Sequence, residues 1–319
     1  MFELKSFQTE SAKLMADRYL MFANHQDRPK KGNKPRPFFQ ALSAITGAGK
    51  TPILAEAVAR IRLTMEIEPI VFWMSKAKSV VAQTYANFSS GGKYFNILDG
   101  FQVITVPELT PWGITDGSTP LIVMATTGLF NNKEQSEGVL NIYKRDQDLF
   151  GDQSPWERLI ERQANGKRRP LLIVYDEAHN LSEQQTEILA ELEPEGYLVA
   201  SATLKLTMKF QKSVIQHIKT WVEETDAVDQ FKELKVINDD GQPEAERFIT
   251  TVVNSKQVVL AELVKKAIQF DGTTAPMEHC IDDLIKRMNV LNKEIQIRSL
   301  GIKPKAIYVC RTNITDEGD

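Results

Sequence analysis

Thr46-Gly47-Ala48-Gly49-Lys50-Thr51 follows directly on the apolar run PFFQALSAI, which ends near Ile45, and precedes a helix-like stretch. A strand that runs into a tight glycine turn and then into a helix presents successive backbone N–H groups to one point, and the positive end of the helix adds to them. That arrangement binds an anionic phosphate. Lys50 is placed to reach the β- and γ-phosphates of a nucleoside triphosphate, and the Thr51 hydroxyl to bind Mg²⁺. Glycine matters at 47 and 49 because side chains there would block the approach of the backbone. Pro52 is compatible with the first turn of a helix, whose N–H groups have no intrahelical acceptor. Ala44 stands where the usual pattern has its first glycine.

A second group of residues carries complementary chemistry. The run Leu171-Leu172-Ile173-Val174-Tyr175 delivers Asp176-Glu177-Ala178-His179 at its carboxyl end, the end of a strand at which open α/β sheets bind ligands. Asp176 is assigned to Mg²⁺ and Glu177 to orienting and deprotonating an attacking water. The competing role for a lone Asp in this position is to cap the next helix. One helix and one strand later comes Ser201-Ala202-Thr203. Its hydroxyls can hydrogen-bond to Asp176 or His179 and report whether a γ-phosphate is present. His179, Ser201 and Thr203 are therefore read as coupling residues.

Positioning these groups requires a parallel sheet. Short apolar runs lie at 69–74 (PIVFWM), 101–106 (FQVITV), 120–125 (PLIVMA), 170–175 (PLLIVY) and 197–202 (YLVASA). Most are apolar on consecutive positions, as in strands covered on both faces by helices. Pro52–Glu66 and Leu181–Leu192 read as amphipathic helices between them. The fold class is α/β, with the sheet domain spanning residues 1–235. The polar, turn-rich stretch NDDGQPEAE suggests a linker over 236–254. Helices are expected near 255–270 and 277–295, and KPKAIYVCRTN at 303–313 reads as the first strand of a new sheet that opens a second, incomplete domain over 255–319.

Composition sets broader limits. The 319 residues are 42% hydrophobic and 25% charged, ordinary for a chain with a real core. A net charge of -3 argues against a uniformly basic nucleic-acid coat but leaves room for a local basic groove. Cys280 and Cys310 lie far apart with no ligand pair nearby, which implies a reducing, cytoplasmic setting and no zinc site. No run is apolar enough to span a bilayer. The basic loop holding Arg28, Lys30, Lys31, Lys34 and Arg36 is read as solvated surface.

The order Ala-x-Thr-Gly-x-Gly-Lys-Thr, Asp-Glu-Ala-His, Ser-Ala-Thr resembles motifs I, II and III of superfamily 2 helicases and translocases, and is most similar to the motor subunits of type III restriction enzymes and related bacterial defence proteins. The resemblance covers residues 1–210. It implies a RecA-like P-loop NTPase domain that uses ATP and Mg²⁺, followed by a truncated second RecA-like domain. It also implies a DEAH-box motor coupled to nucleic acid, DNA before RNA, with modification or nuclease subunits as partners and more polypeptide beyond Asp319. By the same resemblance Gln8 reads adenine, and Thr46, Gly47, Ala48, Gly49, Lys50 and Thr51 hold the nucleotide. Ser75 and Lys76 (motif Ia) and Thr126, Thr127 and Gly128 (motif Ib) touch the nucleic-acid backbone. Helix and strand caps are the plain alternative for Ser75, Thr126 and Thr127. An ATP-gated switch or scaffold that binds nucleotide and DNA without moving remains the alternative function.

Overall fold

The computed structural model describes residues 2–130, 142–143, 149–177, 181–202, 206–225, 245–264 and 277–299. The chain divides into two units, residues 1–266 and 267–319. In the second, the helix Met277–Ile297 is the described element.

The first unit begins with helix α1 (Ser6–Asn24), a two-residue hairpin of β1 (Lys30–Lys31) and β2 (Lys34–Pro35), and strand β3 (Phe38–Ser43). Helix α2 (Lys50–Arg62), β4 (Ile70–Ser75), α3 (Lys78–Phe88), β5 (Gln102–Thr105), the short α4 (Pro111–Thr115) and β6 (Leu121–Thr126) follow. Next come α5 (Pro155–Glu161), the hairpin of β7 (Gln163–Ala164) and β8 (Lys167–Arg168), β9 (Leu171–Asp176), α6 (Glu183–Glu191) and β10 (Gly196–Ser201). Helical turns over 208–224, the helix Ala245–Ile249, β11 (Thr250–Val252) and the helix Ser255–Leu260 complete it.

Seven strands form one sheet in the order β11-β3-β10-β9-β4-β6-β5, every neighbouring pair parallel. The order explains the sequence texture. The inner strands β4, β9 and β10 are buried at every position, so they read as continuous apolar runs, whereas the edge strands β5 and β11 expose Gln102 and Val252. On one face of β3, Phe38 meets the rings of Tyr19 and Phe22 edge-on or tilted; on the other, Phe39 packs on Phe210. Aromatic pairs of this geometry add to the area they bury.

Two fully buried arginines tie the amino ends of the strands together. Arg169 donates to the carbonyls of Glu68 (2.7 Å), Gly113 (2.7 Å), Ile114 (3.1 Å) and Thr119. Arg162 donates to those of Arg169 (2.8 Å), Leu159 (3.0 Å), Leu192 (2.7 Å) and Glu193 (2.8 Å). Their partners are carbonyl oxygens, and burial pulls the guanidinium of Arg162 down to about 9 and that of Arg169 to about 10. Both remain cationic at neutral pH.

Two expectations change. Residues 250–252, placed in a linker by the polar stretch before them, are β11, which continues the main sheet beside β3. The physical reason is the run FITTVV that follows the polar residues: Phe248, Ile249 and Val253 are buried, and Arg18 donates to the Thr251 hydroxyl at 3.2 Å. The first unit accordingly runs to Lys266, past the boundary expected at 235. The strand expected at 303–313 lies outside the described residues. The basic loop is engaged at the amino end of β10, where Arg28 pairs with Glu195 at 3.2 Å and Lys34 with Glu193 at 2.8 Å. Among the described residues no helix is long and apolar enough to cross a membrane.

Candidate nucleotide site

Strand β3 ends at Ser43, and the Ala44 N–H donates to the Ser201 carbonyl at 3.3 Å, which anchors the chain where it leaves the sheet. The turn then passes through Gly47 (φ 87°) and Gly49 (φ 81°), left-handed conformations that favour glycine. Gly49 is the N-cap of α2 and has no side chain to cap that helix end, and the first turn carries no acidic residue. The N-cap residue of this 13-residue helix therefore leaves the first-turn N–H groups without a cap of its own. These features fit a phosphate group.

Gln8, in the first turn of α1, is buried against this loop. Its Nε2 donates to the Ala48 carbonyl at 2.9 Å, and its Oε1 accepts from the Lys5 N–H at 2.9 Å. A Cβ at Gly49 would collide with the same Nε2, and a Cβ at Gly47 would stand 2.8 Å from Val264 Cγ1. In the structure Gln8 therefore contacts the glycine turn itself.

The topology brings the acidic group to the same place. Strand β10 lies between β3 and β9, with Ser201 level with Ser43 and Ala200 level with Asp176. The carboxyl ends of β3 and β9 flank that of β10, and the two loops close over it. The Thr51 hydroxyl donates to Asp176 Oδ2 at 2.7 Å, and Lys50 Nζ pairs with Glu177 Oε1 at 3.1 Å. Lys50 and Asp176 are buried, while the Glu177 side chain is 37% exposed. Glu177 adopts φ 66°, which turns the chain sharply at the end of β9.

Burial pushes the Asp176 carboxyl above its ordinary range. The Thr51 hydroxyl opposes this, the neighbouring Glu177 adds to it, and Lys50 opposes it. A buried carboxylate beside a hydroxyl is a hard-oxygen pair suited to Mg²⁺, which keeps several waters and takes its remaining ligands from phosphates. Among the described residues no cluster of three or more His, Cys, Asp or Glu side chains could hold a metal ion by itself. The donor set fits a magnesium that arrives with a triphosphate. Ser201 is fully buried between the two loops. His179 and Thr203 lie outside the described residues.

The residues assigned to nucleic acid lie at the carboxyl ends of β4 and β6, where Ser75 is level with Thr126. Ser75 and Thr127 are buried, and the Thr127 carbonyl accepts from Gln185 Nε2 at 3.3 Å. Lys76 and Gly128 are exposed and Thr126 is half-buried. The pairing of Lys50 with Glu177 and the approach of Val264 to Gly47 had no signal in the sequence, since each joins residues from distant parts of the chain.

Residues 3–206 match the family model described as type III restriction enzyme, res subunit. No curated protein matches the chain. Among solved structures, the Sulfolobus solfataricus SWI2/SNF2 ATPase core in complex with dsDNA aligns over 81% of this chain at 12% identity, with a TM-score of 0.41. The chain spans 46% of the length of that structure's chain.

Proposed function

Because the chain belongs to the type III restriction enzyme res-subunit family, we propose that it is an ATP-hydrolysing motor that moves on DNA within a bacterial restriction or anti-phage defence protein. The observation that carries this reading is the convergence of Lys50 and Thr51 on Glu177 and Asp176, at 3.1 Å and 2.7 Å, above the strand that holds Ser201.

In this reading the N–H groups of the Gly47–Thr51 turn hold the phosphates, and Lys50 supplies a cation to the β- and γ-phosphates. Thr51 and Asp176 would hold a magnesium, which would supply positive charge to the phosphate oxygens. Glu177 accepts the proton of a water whose oxygen bonds to the γ-phosphorus. The bond from that phosphorus to the β,γ-bridging oxygen breaks, and ADP and phosphate leave. The triphosphate offers Lys50 a more highly charged partner than Glu177, so nucleotide binding frees the carboxylate for its role as base. Ser201, beneath both loops, is placed to couple the state of the γ-phosphate to the rest of the sheet.

DNA is the track because the family is one of restriction enzymes, and Lys76, Thr126 and Gly128 supply its backbone contacts. The test is the ATPase rate of the polypeptide containing this chain, with and without DNA, together with displacement of a triplex-forming strand. Stimulation by DNA and ATP-dependent displacement are expected. A nucleotide-gated scaffold would bind both ligands and displace nothing, and that result would replace the motor reading.

A further inference from the structure

The helix Ser255–Leu260 ends in a turn that controls where the chain goes next. The Glu262 N–H donates to the Val259 carbonyl at 3.0 Å and the Leu263 N–H to the Val258 carbonyl at 3.2 Å. Glu262 adopts φ 59°. These paired bonds around a left-handed residue are a Schellman cap, which satisfies the last carbonyls of the helix and reverses the chain. Val258, at the third position from the helix end, is fully buried and fixes the helix to the core. The other end is held too: the Asn254 side chain accepts from the Lys256 N–H at 2.8 Å. The two residues after the cap are therefore delivered to a defined place.

That place is the phosphate loop. A Cβ built on Gly47 would stand 2.8 Å from Val264 Cγ1 and 3.9 Å from the Leu263 carbonyl oxygen. Both left-handed glycines of the loop are thus backed by a side chain from elsewhere, Gly49 by Gln8 and Gly47 by Val264. Glycine without such backing visits many backbone conformations, and the loop would lose that freedom on gripping a phosphate. A side chain that fills the space beside Gly47 removes part of this cost in advance.

We propose that Val264, carried by the Glu262 turn, is a positioning residue for nucleotide binding that braces Gly47 as Gln8 braces Gly49. The inference rests on the nucleotide reading of the site. It adds a brace from the segment just beyond the edge strand β11 and gives Glu262 a role in binding through the backbone turn it forms.

The experiment measures binding of a fluorescent ATP analogue with Mg²⁺, steady-state kinetics and thermal melting on the full chain and its variants. Val264→Ala is expected to raise the Kd roughly fivefold, less than the roughly fifteenfold that two fully buried methyl groups would carry, because Val264 is half-buried. KM rises in step, and kcat changes by less than about twofold, because uniform binding is what is lost. Val264→Ile, which keeps the branched Cβ and its apolar groups, holds the Kd within about twofold of the unaltered chain. Glu262→Val, β-branched where φ is positive, weakens binding in the same direction, and Glu262→Gly, which accepts the turn, leaves it intact. Wild-type Kd in Val264→Ala or Glu262→Val overturns the proposal, whatever the melting temperature does. A fall in kcat with unchanged KM also overturns it. If the unaltered chain binds no nucleotide, the reading of the site fails first and the brace falls with it.

Discussion

Thr51 and Asp176 share a 2.7 Å hydrogen bond although one opens helix α2 and the other closes strand β9. The bond exists because β10 separates their parent strands by one position in the sheet, so that both loops lean over the same strand end. Asp176 pays for that location with desolvation, which favours its protonated form.

A stability effect follows. Its carboxyl is raised in the folded state, so between the ordinary value and the raised one the folded chain holds a proton that the unfolded chain has released. Stability from this group is fully present below the ordinary value and is lost as pH rises through the raised one. Asp176→Asn removes the titration and keeps an oxygen to accept from Thr51. The nucleotide-free variant is expected to melt above the unaltered chain at neutral pH, with the gap narrowing toward about pH 4, while ATP hydrolysis is abolished. Melting curves across pH check this, and an equal or lower melting temperature at neutral pH counts against it.

Lys50 and Glu177 form one ion pair but have different tasks. Lys50→Ala should remove measurable nucleotide binding, whereas Glu177→Gln should bind ATP at least as well as the unaltered chain and lose turnover by a hundredfold or more, about the scale of general-base catalysis. Calorimetric titration beside a phosphate-release assay separates the two. Equal loss of binding in both variants would contradict the assigned roles.

Much of this arrangement is legible in the residues themselves. PIVFWM, PLIVMA, PLLIVY and YLVASA read as strands because β4, β6, β9 and β10 are covered on both faces, and their observed limits fall within one residue of those runs. The glycine turn and the Asp-Glu pair are local patterns and were equally readable. What escaped depends on distant partners. Within FITTVV, Thr250–Val252 became the edge strand β11 because β3 has a free side to pair with. Arg162, and Arg169 in GKRRP, carry no local signal of burial, and only the folded chain brings the carbonyls of Glu68, Gly113, Leu159 and Leu192 to them. The Gln8 amide is engaged by the Ala48 carbonyl, a contact that no spacing announces.

The arginine clamp has its own test. Replacing Arg169 with Met leaves the carbonyls of Glu68, Gly113, Ile114 and Thr119 without their donor. With buried acceptors costing about 1–3 kcal/mol each when unsatisfied, a loss of about 3 kcal/mol or more is expected in urea unfolding. A loss below about 1 kcal/mol would show that water takes over these carbonyls.

At the carboxyl face, Lys76 is exposed where Ser75 is buried. Lys76→Ala should weaken DNA binding similarly on all sequences and reduce the slope of log affinity against log salt by about one. Salt-dependent anisotropy titrations measure it, and an unchanged slope would move the track away from this strand end.

The account depends most directly on Thr51 and Asp176 receiving the magnesium of a bound triphosphate. Binding of a fluorescent ATP analogue to the unaltered chain and to Thr51→Val, each with Mg²⁺ and with EDTA, tests that dependence. Magnesium is expected to tighten binding to the unaltered chain by tenfold or so, a gain of about 1.4 kcal/mol, and to leave Thr51→Val nearly unaffected. The same tightening in both proteins would contradict the account.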